Sequence, residues 1–199
     1  MEVGGIVILV LLVLGALWGV AMYNRLVQLK NRYKNAFAQI EVQLKRRYDL
    51  IPNLVTTAKR YLKHEAETLE KVTEARNQAM AGLKAAAADP GNAGAIRQLA
   101  GAEGQLMGAL GRLNVVMEAY PDLKADATMK QLSEEITSTE NRVAFARQSF
   151  NDNVMAYNTY RQSFPQNVMA PMFGHIQDAT LLEFADHEQI QAAPQVVFD

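Results

Sequence analysis

The chain has 199 residues, 20 Lys and Arg against 21 Asp and Glu, and no Cys. A formal charge of −1 offers no basic stripe of the kind nucleic acid requires. The lack of Cys excludes disulfides, thiolate metal sites, a thiol nucleophile and a lipidated cysteine.

The chain begins with an apolar run. Val3 to Met22 holds no charge, no Pro and no Asn or Gln, and it matches the roughly 20 residues a helix needs to cross a ~30 Å hydrocarbon layer. Trp18 and Tyr23 stand where interfacial aromatics are expected. Gly19-Val20-Ala21 would serve as a signal-peptide cleavage site, but Met1-Glu2 lacks a basic residue and the run is too long for such a peptide. Residues 1–23 therefore read as an uncleaved anchor, with residues 3–22 in lipid. Arg25, Lys30, Arg32 and Lys34 follow the run and no Lys or Arg precedes it, which puts the N-terminus outside and the bulk of the chain in the cytoplasm.

The rest of the chain, residues 24–164, reads as an all-α, antiparallel, up-and-down four-helix bundle continuous with the anchor. Its helices are expected at about 24–51, 52–88, 93–119 and 125–163. Leu26, Leu29, Tyr33, Phe37, Ile40, Leu44, Tyr48 and Ile51 recur at spacings of three and four on the first. Lys45, Arg46 and Arg47, with Arg60 and Lys63, read as a solvated basic face. Pro52 lacks an N–H and is expected to kink the helix or start the next. Leu54, Ala58, Leu62, Leu69, Val72, Ala79 and Leu83 stripe the second helix, which Asp89-Pro90-Gly91-Asn92 ends.

The third helix carries two stripes. Leu99, Leu106, Leu110 and Leu113 form the core side; Gly101, Gly104, Gly108 and Gly111 lie roughly 150° away at 100° per residue. An interior Gly costs about 1 kcal/mol relative to Ala, so this face is expected to meet another helix closely, as a self-association face. The fourth helix carries Asn141, Asn151, Asn153 and Asn158, poor helix formers. Beyond it, residues 165–199 read as a segment packing on the bundle, with a short helix at 178–191 capped by Asp178.

Catalytic and metal signatures are missing. The residues three before His64, His175 and His187 are Tyr61, Met172 and Phe184, so the Glu-x-x-His pattern of di-iron bundles is absent. His64-Glu65 and His187-Glu188 lack the second His of a zinc protease. Neither a Gly-x-Ser-x-Gly elbow nor a Ser-x-x-Lys motif occurs. The chain is expected to bind no cofactor, metal or nucleic acid and to be no enzyme.

Several stretches resemble the LemA family: Tyr23-Asn24-Arg25-Leu26-Val27 after the apolar helix; the run from Gln43 to Val55, with Arg47, Asp49, Pro52 and Asn53; His64-Glu65; Val72 to Arg76; Glu140-Asn141-Arg142; Tyr157-Asn158; and Phe164-Pro165. Pro194 to Phe198 is similar to the family's usual ending. The resemblance implies a bacterial membrane protein with a helical domain and no established catalytic activity. The resulting expectation is a self-associating scaffold or organiser at the inner membrane. The alternative is a tethered sensor or adaptor that binds a partner protein or small ligand.

Overall fold

The computed structural model describes residues 3–184, which are mostly helical and include no strand. Helix α1 runs from Val3 to Lys59 as one element of 57 residues, about 85 Å long at 1.5 Å per residue. Its first part is apolar enough to cross a membrane and none of that stretch is buried by protein. Burial begins at Met22 and then recurs at Leu26, Leu29, Tyr33, Phe37, Ile40 and Leu44. The anchor and the first wall of the folded domain are thus a single helix.

Helices α2 (Ala66–Ala88), α3 (Ala93–Glu118), the short α4 (Pro121–Ala125) and α5 (Ala127–Gln162) follow. Helix α1 packs along α5 and α2, and α2 packs along α3. Apolar side chains of all four long helices join one core, from Leu26 and Val72 to Leu106 and Val154. Tyr33 meets Tyr157 edge-on at 5.4 Å and Phe37 meets Phe150 at 5.5 Å, so α5 runs antiparallel to α1. At the end far from the anchor, the Tyr61 hydroxyl donates to Asp126 Oδ2 at 2.9 Å, tying the α1–α2 connection to the start of α5. Asp126 also caps α5 by accepting from the Met129 amide. These two bonds hold the Asp126 carboxyl below its usual range.

The expected boundary at Pro52 is corrected. Helix α1 passes through Pro52 and ends at Lys59, and the reversal comes at residues 60–65. Proline removes the N–H that would bond the carbonyl four residues back, that of Tyr48. Arg76 of α2 takes that place, donating Nε–H to the Tyr48 oxygen at 2.9 Å. The loss that should interrupt the helix is made good from outside it.

Two glycines govern the α2–α3 hairpin. A Cβ on Gly82 would lie 3.2 Å from the Leu99 Cα, so a larger residue there would push α2 and α3 apart. A Cβ on Gly91, in the turn, would come within 2.8 Å of the Tyr33 hydroxyl. That turn therefore sits level with Tyr33, about 15 Å along α1 from Tyr23. Asn92 then caps α3, accepting from the Ala95 amide at 3.0 Å.

Beyond α5, α6 (Gln166–Met169) and a 3-10 turn (Ala170–Phe173) return to the anchor, where Phe173 stacks edge-on against Tyr23 at 5.5 Å. Gly174, at φ +80°, reverses the chain in a conformation that disfavours side chains. Residues 175–184 then run back along α5 without helical structure. The helix expected from Asp178 is therefore absent over residues 178–184, and its remainder lies outside the described residues, as do His187 and the Pro194–Phe198 ending. Asp178 caps nothing: it accepts from Arg161 Nε at 2.7 Å and from Gln162 Nε2 at 2.7 Å.

Candidate functional site

Three places gather the polar residues singled out in the sequence. The first is a charged layer inside the core. Arg47 and Glu103 are 1% and 0% exposed and form an ion pair from α1 to α3. The buried Tyr48 hydroxyl donates to Glu103 Oε1. Glu140 of α5 adds a favourable charge toward Arg47, and Arg76 of α2 holds the Tyr48 carbonyl. Every long helix thus contributes, α1 with both Arg47 and Tyr48, and Arg47, Arg76 and Glu140 come from the motif residues.

The electrostatics follow from burial. Leaving water disfavours the charged guanidinium, so the Arg47 pKa is lowered, against the opposing influence of Tyr48 and Glu140. Burial likewise raises the Tyr48 phenol, with Arg47 pulling the other way. The Tyr48 hydroxyl therefore stays protonated and serves as a donor. Burying two charges is costly unless they are paired, and here the pair joins α1 to α3 inside the core. The assignment of Arg47 to a solvated basic face is corrected: it occupies the apolar stripe between Leu44 and Ile51. Glu103 was missed, although it sits four residues after Leu99 and three before Leu106, a charge at a core position.

The second place is the strap at residues 175–184. Asn158 donates from Nδ2 to the Ala179 carbonyl at 2.8 Å and accepts from the Ala179 amide at 2.9 Å. Asn151 does the same to Leu182, at 3.1 and 2.9 Å. Seven helical residues rise about 10.5 Å, and three extended residues span about 10 Å. The two asparagines therefore match a strap backbone held at every third residue. The buried His175 Nδ1 lies 2.9 Å from the Tyr157 hydroxyl. Leu182 and Phe184 are buried, and the Arg147 guanidinium covers the Phe184 ring at 4.6 Å. The load of asparagine on α5 thus has a use at Asn151 and Asn158. Asn153 instead bonds back to the Ser149 carbonyl.

The third place is the glycine face. Gly101, Gly108 and Gly111 have open space where a Cβ would stand. Gly108 and Gly111 line a groove of about 930 Å³ between α2 and α3, beside Glu67, Lys71, Glu74, Arg112 and Val115. Gly104 is half-buried. The close α2–α3 contact is made at Gly82, not at Gly101, Gly108 or Gly111.

Of the other motif residues, Tyr23 meets Phe173, and Asn24, Asp49, Pro52, Asn53, His64, Asn141 and Arg142 are exposed. Glu65 is half-buried and accepts helical bonds through its carbonyl from Thr68 and Leu69. Phe164 is exposed and its peptide bond to Pro165 is cis. Among the described residues, no three His, Asp or Glu side chains gather as a metal site.

The profile of the LemA family matches residues 36–198. The chain belongs to the LemA family. Its match covers the charged layer and the strap. Magnetosome protein MamQ of Magnetospirillum gryphiswaldense is 28% identical over 167 residues, covering 76% of this chain and 61% of MamQ. Magnetosome protein MamQ 2 of Paramagnetospirillum magneticum is 29% identical over the same shares. Protein LemA of Metamycoplasma hominis is 26% identical over 147 residues, covering 74% of this chain and 63% of that protein. The LemA-family chain thus spans about three fifths of the length of the curated relatives it matches.

Proposed function

We propose that this chain is a non-enzymatic, membrane-tethered scaffold: an up-and-down four-helix bundle carried on α1, which self-associates through the glycine face of α3 and organises other proteins at the bacterial inner membrane. The observation that carries the reading is the open space at Gly101, Gly108 and Gly111 beside the α2–α3 groove. Glycines at 101, 104, 108 and 111 lower the propensity of the helix, and none of the described residues uses the room left at Gly101, Gly108 and Gly111. A helix of a second copy would use it, since small residues let backbones approach closely.

Two further facts support a structural role. The charged layer is sealed inside the core, which suits holding helices in register and gives a substrate no access. The names of the related proteins, magnetosome protein MamQ and protein LemA, describe no enzyme. The Lys and Arg bias after the span supports a cytoplasmic bundle.

The test is sizing of the full chain in detergent beside the Gly108→Leu/Gly111→Leu variant. Both sites accept a side chain within the monomer, so helical content should remain while the assembly falls to monomer. Unchanged assembly, or a wild-type chain that is monomeric from the start, would remove self-association and leave the adaptor reading, with the α2–α3 groove as the place for a partner. A reporter fused after Asp199 tests the orientation: activity only in its cytoplasmic form is expected, and periplasmic activity would reverse it.

A further inference from the structure

The segment that returns to the anchor exposes a row of large apolar side chains. Phe164, Val168, Met172 and Ile176 are spaced four residues apart and are 82%, 60%, 76% and 69% exposed. Their neighbours Ala170 and Phe173 face inward, Ala170 fully buried and Phe173 packed on the core. The segment is therefore two-sided: its inner side closes the end of the domain and its outer side faces away, with none of the described residues over it. Its position in the fold says what meets it. Phe173 rests on Tyr23, and the 3-10 turn packs on α1 where the lipid-facing stretch gives way to the core at Met22. The α2–α3 turn stops farther out, level with Tyr33. The 3-10 turn that carries Met172 thus lies at the height where α1 leaves the apolar layer, and Phe164, Val168 and Ile176 flank it in sequence.

We infer that Phe164, Val168, Met172 and Ile176 form a second membrane contact, a shallow collar that lies in the lipid interface beside α1. This inference rests on α1 spanning the bilayer. Partial insertion of a short amphipathic element suits apolar side chains flanked by backbone that is already hydrogen-bonded in α6 and the 3-10 turn. Tyr23 at the same height is a residue type enriched at such interfaces. Arg25, Lys30, Arg32 and Lys34 follow within the next turns of α1 and match anionic headgroups.

The chain has no Cys, so single cysteines report cleanly. Full-length Met172→Cys, Val168→Cys, Val10→Cys and Val42→Cys variants are labelled with an environment-sensitive fluorophore. They are then reconstituted in phosphatidylcholine–phosphatidylglycerol vesicles with nitroxide-labelled lipids. Val42 is 57% exposed on α1, well beyond Met22 and away from the glycine face, and serves as the aqueous reference. Labels at 168 and 172 are expected to shift to the blue and to be quenched at least threefold more by shallow nitroxides than the label at 42. The label at 10 should be quenched most by nitroxides near the bilayer centre. If 10 is deep but 168 and 172 behave like 42, the collar is overturned while the anchor stands. A blue shift at 168 and 172 without lipid quenching means that another protein chain covers the row, which also overturns it. If 10 itself is not lipid-quenched, the anchor and the collar fall together.

Discussion

Arg76 donates its Nε–H to the carbonyl of Tyr48, the one helical acceptor in α1 that Pro52 leaves without its amide. A side chain of α2 thereby repairs a gap in the backbone of α1. The pair also locks α2 against α1 at the height of the charged layer.

The first prediction follows from this repair. Arg76→Met leaves the Tyr48 carbonyl unpaired and should destabilise the fold by about 1–3 kcal/mol in urea titrations. Pro52→Ala restores the missing amide, so in the Arg76→Met background it should recover part of that loss. A double-mutant cycle measures the coupling. Strictly additive effects would show that the two residues are independent.

The charged layer gives a second prediction. Arg47→Met or Glu103→Leu alone strands a buried charge, which costs about 3–5 kcal/mol. The double variant removes both charges and should be less destabilised than either single one. Denaturation midpoints of the three chains decide the matter; a double loss equal to the sum of the singles contradicts the pairing.

A third prediction concerns the strap. Asn151→Ala and Asn158→Ala each remove two hydrogen bonds to strap backbone, at about 1–3 kcal/mol for each variant. Amide exchange at Ala179 and Leu182 should accelerate while the amides of α2 and α3 keep their protection. Unchanged exchange at Ala179 and Leu182 would mean that buried Leu182 and Phe184 hold the strap without the asparagines.

pH should act on the same strap. Burial, with Lys30 and Arg161 facing the ring, lowers the His175 pKa below its unfolded value. The folded form then binds fewer protons than the unfolded one, and stability rises with pH. His175 contributes fully above its unfolded pKa of about 6.5, and that contribution is lost as pH falls toward its lower folded value. Denaturation midpoints should therefore decline from pH 7.5 to pH 5, and His175→Asn should flatten the decline over that window. An equal slope in the variant would assign it to other groups.

Much of this was legible in the sequence. The 3–22 run and the three-four spacing from Leu26 to Ile51 announce one long helix that changes its surroundings partway. The α3 and α5 boundaries fall within two residues of those expected, because Pro121 and the Asp89–Asn92 turn are local signals. Pro52 misled because its effect depends on Arg76, 24 residues later, and no local pattern reports such a partner. Arg47 and Glu103 were hidden for the same reason: each is a charge on an apolar stripe, and only the fold brings the opposite signs together. Asn151 and Asn158 looked like poor helix formers because propensity does not register a strap lying alongside.

The continuity of α1 has a mechanical consequence. No flexible linker separates the lipid-embedded part from the core, so the domain cannot pivot independently of its anchor. From Met22 to Lys59 the helix extends about 55 Å. A helix that tilts to match bilayer thickness then acts as a lever. A change of about 10° in the span moves the far end of the domain sideways by about 10 Å, given the same 1.5 Å rise. Lipid thickness at one end of α1 and the sideways position of the distal α1–α2 turn at the other are thereby geared to each other.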